Sequence, residues 1–199
     1  MSGRLERQFG FALEADKEKT ILRQTLLADG SRKENDAEHA WHAALMAVLL
    51  SEYANEKIDV LRTVTMLLIH DMVEIDAGDT YAYDEQANLN RREREEKAAD
   101  RVFGILPDDQ RDRFRALWEE FEACETPEAK FAHAMDNIQP AMLNNATNGQ
   151  AWVEHGVRLS QILRRNQITP KGSQMLWDYA LGHIFLPNVE NGNIIDDVN

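Results

Sequence analysis

Met66-Leu67-Leu68-Ile69-His70-Asp71-Met72-Val73-Glu74 is an apolar segment that ends by placing an imidazole and two carboxylates within one helical turn. Val60, Val64, Leu67, Leu68 and Asp71 recur at helical spacing, which predicts a helix over Asp59–Glu74. An ionised aspartate beside a histidine in apolar surroundings is costly unless something pairs with them. Glu74 stands four residues from His70 and three from Asp71, so all three side chains can converge at one end of the helix. The residues alone admit two readings: a buried His–Asp pair with a surface glutamate, or a chemical site.

Outward from this segment the chain continues to read as helix, with no convincing period-2 stretch. Upstream, Asn35 is a good N-cap and Glu38 its capping-box partner. Ala37, Trp41, Ala44, Leu45, Val48 and Leu49 then follow at helical spacing, with His39 in the first turn and His42 three residues on. An earlier helix is expected within Phe11–Leu27. Downstream, Gly78 marks a break and Asp79–Asn88 reads as a loop. A charged helix is expected over Asn90–Gly104, its run Arg91–Lys97 forming a solvated face of alternating sign. Phe114, Leu117, Trp118 and Phe121 stripe the next helix. Pro127 opens another to about Asn145, which carries Asp136 among apolar residues. Pro140, four residues beyond, deprives the Asp136 carbonyl of its helical donor. Two more helices are expected near Gln150–Arg165 and Pro170–Leu186, the second capped by Thr169. The expectation is an all-α, single-domain helical bundle over residues 1–186, followed by a loose polar tail, 187–199.

Composition narrows what such a bundle can do. The 199 residues carry 22 basic and 35 acidic side chains, a net charge of −13, and 43% are hydrophobic. A chain this acidic is repelled by nucleic-acid polymers and anionic membranes, so an anionic ligand needs a local cation or a placed arginine. The longest apolar run, Ala43–Leu50, is too short to span a bilayer. The single cysteine, Cys124, excludes an internal disulfide and a cysteine-based zinc site, and fits a cytoplasmic location.

The order His39, His70-Asp71, Asp136 on helices resembles the HD-domain metal-dependent phosphohydrolases. Glu34-Asn35-Asp36-Ala37-Glu38-His39 and His70-Asp71-Met72-Val73-Glu74-Ile75-Asp76-Ala77-Gly78-Asp79 are similar to the branch containing the 5′-deoxynucleotidases, which reads E-N-x-x-E-H and H-D-x-x-E-x-x-x-G-D. The resemblance implies an HD-type helical fold and one divalent metal ion held by His39, His70, Asp71 and Asp136. Two imidazoles and two carboxylates suit manganese, cobalt, iron, nickel or zinc. Only His133 lies between the doublet and Asp136, which favours a single metal.

The same resemblance implies a phosphomonoester hydrolase acting through a metal-activated water on a small phosphorylated metabolite, a (deoxy)nucleoside 5′-monophosphate foremost. Glu74 would orient or deprotonate the water. Asp79 would contact substrate and steer the water or protonate the leaving group. Arg23 would clamp the phosphate, with Arg32 as the other arginine in reach; the tryptophan that follows this arginine in the family is absent. A homodimer is implied too. The alternatives are hydrolysis of another phosphorylated metabolite or a nucleotide polyphosphate, and a non-catalytic helical interaction module stabilised by metal.

Overall fold

A computed structural model describes residues 2–78 and 90–198. Its helices are α1 (Ser2–Ala15), α2 (Asp36–Leu50), α3 (Val60–Ile69), α4 (Glu74–Ala77), α5 (Arg91–Gly104), α6 (Asp108–Ala123), α7 (Pro127–Ala146), α8 (Gln150–Glu154), α9 (Leu159–Arg165), α10 (Thr169–Gly172), α11 (Gln174–Ala180) and α12 (Leu186–Glu190). The fold is all-α apart, among the described residues, from one small hairpin, β1 (Leu22–Leu26) with β2 (Lys33–Asn35).

Caps set where the site-bearing helices begin. The Asn35 side chain accepts from the Glu38 amide at 3.0 Å, and the Glu38 carboxylate accepts from the Asn35 amide at 3.2 Å, a complete capping box. Asp59 caps α3 through the Arg62 amide, and Thr126 caps α7 through the Ala129 amide, with Pro127 at the first turn. Helix α7 is the central member, packed against α2, α3, α6 and α10. Phe131 and Met135 of α7, Met66 and Leu67 of α3, Phe103 and Trp118 are fully buried around it. From α2 the buried apolar face is Ala40, Ala43, Ala44, Met46 and Ala47, four of the five alanine, so that helix lies close to α3 and α7. The larger Trp41, Leu45, Val48 and Leu49 point to solvent.

Several expected elements differ. The helix expected within Phe11–Leu27 ends at Ala15; a 3-10 turn, Asp16–Thr20, leads into the hairpin. Asp29-Gly30 closes that hairpin, with Gly30 at φ +70°, and the Leu27 amide donates to the Arg32 carbonyl at 2.9 Å. Arg23 therefore sits on a strand. The helix expected over Asp59–Glu74 ends at Ile69, and His70–Val73 form a 3-10 turn before α4. Gly156, at φ +58°, lies in the break that divides the expected Gln150–Arg165 helix into α8 and α9. The segment after Leu186 is not loose. Pro187 occupies the first turn of α12, Ile194 is buried, and Ile195 exchanges backbone hydrogen bonds with Val157 and Leu159. Among the described residues, no helix is long and apolar enough to cross a membrane.

Candidate metal centre and substrate cavity

Three elements meet below the hairpin. The start of α2 delivers His39, the 3-10 turn after α3 delivers His70 and Asp71, and the middle of α7 delivers Asp136; all four are buried. His39 Nδ1 donates to Gln139 Oε1 at 2.8 Å, which leaves its Nε2 lone pair facing Asp136 Oδ1 at 3.0 Å. His70 Nδ1 donates to the Leu67 carbonyl at 2.8 Å, and its buried Nε2 has no hydrogen-bond partner. It lies 3.1 Å from Asp71 Oδ2 and 3.6 Å from Asp136 Oδ1, and His39 Nε2 lies 3.9 Å from Asp71 Oδ2. Each imidazole is thus locked in the tautomer that offers Nε2 inward.

This donor set fits a divalent ion. Bonds of ~2.1 Å place neighbouring donors ~3.0 Å apart in an octahedron and ~3.4 Å apart in a tetrahedron, close to the separations seen here. An orphaned buried imidazole nitrogen is costly in any other role. Burial alone would raise both carboxyls. For Asp71 the charges of His70 and Arg23 reverse this, and for Asp136 the facing His39 and His70 rings and the Arg165 charge do, so both stay ionised. Without a cation, burial and the Arg23 charge push His39 down, while Asp71 and Asp136 outweigh burial at His70 and push it up towards its protonated form; a cation bound at Nε2 would displace that proton.

Behind these groups stands a supporting layer. Gln139 spends its amide nitrogen on Glu34 Oε1 at 2.6 Å and on His42 Nδ1 at 3.1 Å, so His42 faces away from the centre. Burial lifts the Glu34 carboxyl to about 7. Arg23 Nη1 lies 2.7 Å from Asp71 Oδ2 and 3.2 Å from Asp36 Oδ1. Asp36, Asp71 and the buried Glu74 bring their carboxylates within 4.8 Å of one another beside it.

The centre opens into a cavity of about 390 Å³. His70, Asp71, Glu74 and Asp136 line one end, with Arg23, Arg91, Arg92 and Arg165 around it. Three of these arginines are strongly committed: Arg23 to Asp71 and Asp36, Arg91 to Glu95 at 2.5 Å, and Arg92 to Glu96 and Glu122. Arg165, in the last turn of α9, makes one long polar side-chain contact among the described residues, 3.4 Å to Asp136 Oδ2. The expected solvated face of α5 is accordingly divided. Lys97 and Glu93 pair in solvent, whereas Arg91 and the buried Glu95 turn to the cavity.

The structure gathers His39, His70, Asp71, Glu74, Asp136 and Arg23. Arg32 is elsewhere: it pairs in solvent with both Glu38 oxygens, at 2.6 and 2.9 Å, and does not line the cavity. Asp79 lies outside the described residues. Gln139, Asp36 and Arg165 were not anticipated. The polar Asn137 and Gln139, breaking the apolar stripe beside Asp136, were the available signal for Gln139.

A helical fold that converges two imidazoles and two carboxylates on one point, at the mouth of an arginine-lined cavity, defines a class of protein built around a divalent cation. The HD domain family matches residues 15–177, and the chain belongs to it. Its structure is similar to that of a predicted metal-dependent phosphohydrolase from Magnetospirillum magnetotacticum, with 49% identity, 96% of each chain covered and a TM-score of 0.92. An HD-domain phosphohydrolase from Listeria innocua shares the fold at 16% identity, TM-score 0.59, covering 94% of this chain and 91% of that one. The human 5′-deoxynucleotidase HDDC2 is 32% identical over 108 residues, 54% of this chain. The chain spans about half the length, 52%, of that curated relative.

Proposed function

We propose that this protein hydrolyses phosphomonoesters with a divalent metal ion, and that (deoxy)nucleoside 5′-monophosphates are its substrates. The observation that carries the reading is the orphaned His70 Nε2, held with His39 Nε2, Asp71 and Asp136 at metal-ligand separations. The names of the similar proteins, a metal-dependent phosphohydrolase and a 5′-deoxynucleotidase, support the reaction and the substrate class.

His39, His70, Asp71 and Asp136 would hold the ion. A bound cation there supplies a water of lowered pKa and polarises a phosphoryl oxygen. Glu74, one turn past the ligands and lining the cavity, accepts the proton of the attacking water. Asp79 donates to the leaving oxygen and contacts the substrate. Arg165 is the arginine best able to turn to a phosphate, because a guanidinium forks onto phosphoryl oxygens and its present contact is long. Arg23, fixed between Asp71 and Asp36 and lining the same cavity, orients Asp71 and lends its charge to the same phosphate. Arg32 faces solvent, paired with Glu38 outside the cavity lining.

Net charge −13 favours a small, cation-bridged substrate over a polymer. The lone Cys124 fits the reducing cytoplasm. The exposed Trp41, Leu45, Val48 and Leu49 stripe on α2 fits a homodimer, which sedimentation at the mass of one protomer would exclude.

The test is phosphate release from nucleoside mono-, di- and triphosphates with manganese or cobalt, beside Glu74→Gln. Monophosphates are cleaved, and Glu74→Gln keeps its metal by elemental analysis while losing about 10²–10⁴-fold in turnover. A metal-loaded protein that cleaves no member of the panel overturns the reading; full activity in Glu74→Gln removes only the role of Glu74.

A further inference from the structure

Helix α7 gives the cavity more than Asp136. Asp136, Asn137, Pro140, Ala141 and Asn144 fall on one stripe of this helix and all line the cavity. At 1.5 Å rise per residue, Asn144 lies ~12 Å along the helix from Asp136. Asn144 is 8% exposed, and its Oδ1 is buried with no hydrogen-bond partner. The neighbouring cavity amides are engaged: Asn137 Nδ2 donates to Thr169 Oγ1 at 3.2 Å, and Asn166 Nδ2 donates to the Ile162 carbonyl at 3.0 Å. Asn166 Oδ1 in turn accepts from Thr169 Oγ1 at 3.0 Å.

A buried amide oxygen without a donor is unfavourable in the fold by itself. Trp152 and Phe185, ring centroids 5.9 Å apart, also line this cavity. The cavity thus joins a cationic and metal-ligating end to a region with aromatic side chains and one unanswered carboxamide. A carboxamide offers an acceptor and a donor side by side, which matches the edge of a heterocycle carrying an N–H next to a ring nitrogen or carbonyl.

We propose that Asn144 is the specificity residue for the organic end of the substrate, reading the hydrogen-bonding edge of a nucleobase whose phosphate sits at the Asp136 end. This rests on the nucleotide reading above and adds where the base is recognised. The contact stabilises any substrate that carries a base and does nothing for a sugar phosphate without one.

The experiment compares a nucleoside 5′-monophosphate with deoxyribose 5-phosphate, using the metal-loaded wild type, Asn144→Ala and Asn144→Leu. Both variants lose about 10- to 100-fold in kcat/KM for the nucleotide, keep the wild-type value for the sugar phosphate and retain full metal content. Because Asn144 Oδ1 has no partner in the fold, Asn144→Leu also melts at or above the wild-type temperature. An equal loss on both substrates, no loss on either, or a clear fall in Tm for Asn144→Leu overturns the assignment. Calorimetric binding of the parent nucleoside, which has no phosphate, separates the two proposals. Binding that Asn144→Ala abolishes, in a protein that cleaves no nucleotide, upholds the subsite and rejects the reaction; no nucleoside binding by wild type rejects the subsite.

Discussion

Gln139 shows how much of this centre depends on a single neutral side chain. Its oxygen fixes the His39 tautomer and its nitrogen holds the buried Glu34, so one amide orients a ligand and satisfies a carboxyl together. Replacing it by leucine removes both contacts and leaves the ring free to offer the wrong nitrogen. Gln139→Leu should lower metal affinity about 10- to 100-fold, measured by competition with a chelator, with turnover largely restored at saturating metal. At this scale the sequence displays charged and imidazole groups well, because His70, Asp71 and Asp136 are conspicuous in apolar helices. It shows Gln139 only as a polar break in an apolar stripe and conceals Arg165. A neutral amide has no charge pattern, and an arginine in the last turn of a helix is an ordinary dipole-compatible residue. Only the packing of α7 on the start of α2, and the approach of Arg165 to Asp136, shows what they face.

The 3-10 turn between α1 and the hairpin contains Glu18, a glutamate with 5% exposure and an oxygen that finds no partner. Burial, reinforced by the nearby Asp71, lifts its carboxyl to about 8 from an ordinary 4.5. The folded chain therefore holds this proton more tightly than the unfolded chain. The associated stability is full below pH 4.5 and is lost as pH rises through about 8. In metal-free protein, Glu18→Gln should raise Tm by several degrees at pH 8 and change it little at pH 5, since each kcal/mol shifts a domain of this size by about 2–4 °C. Scanning calorimetry at the two pH values checks the sign. The element itself was illegible in advance. Leu22-Arg23-Gln24-Thr25-Leu26 is short, weakly alternating and irregular in register against its partner, so only Asp29-Gly30 announced a turn. The Asn35–Glu38 capping box, by contrast, needs four residues and no tertiary partner, and it was readable at sight.

Across the whole molecule, the grouping of helices was legible because amphipathic periodicity and caps are local. What was not legible is how the chain end is tied in. Ile194 is buried, and the carboxylate of Asp197 accepts from both the amide and the hydroxyl of Ser160, at 2.9 and 2.6 Å. Polar composition in residues 187–199 suggested looseness, but Ile194 inside that stretch is buried and the Ile195 backbone pairs with Val157 and Leu159. The face of α2 was deceptive in the opposite way. Its large apolar side chains follow a helical stripe, yet the alanines take the inner side because close approach to α7 is what brings His39 to Asp136.

That approach joins positions 97 residues apart in the chain. With Cys124 free, the described protein has no covalent clasp, and an ion gripped by His39 and Asp136 would act as one, closing a long loop of the unfolded chain that only the folded state can hold shut. Heat resistance should then track occupancy. Stripping with a chelator should lower the melting temperature by about 5–15 °C, and refilling with different cations should rank them by the height of the melt alone, before any substrate is known.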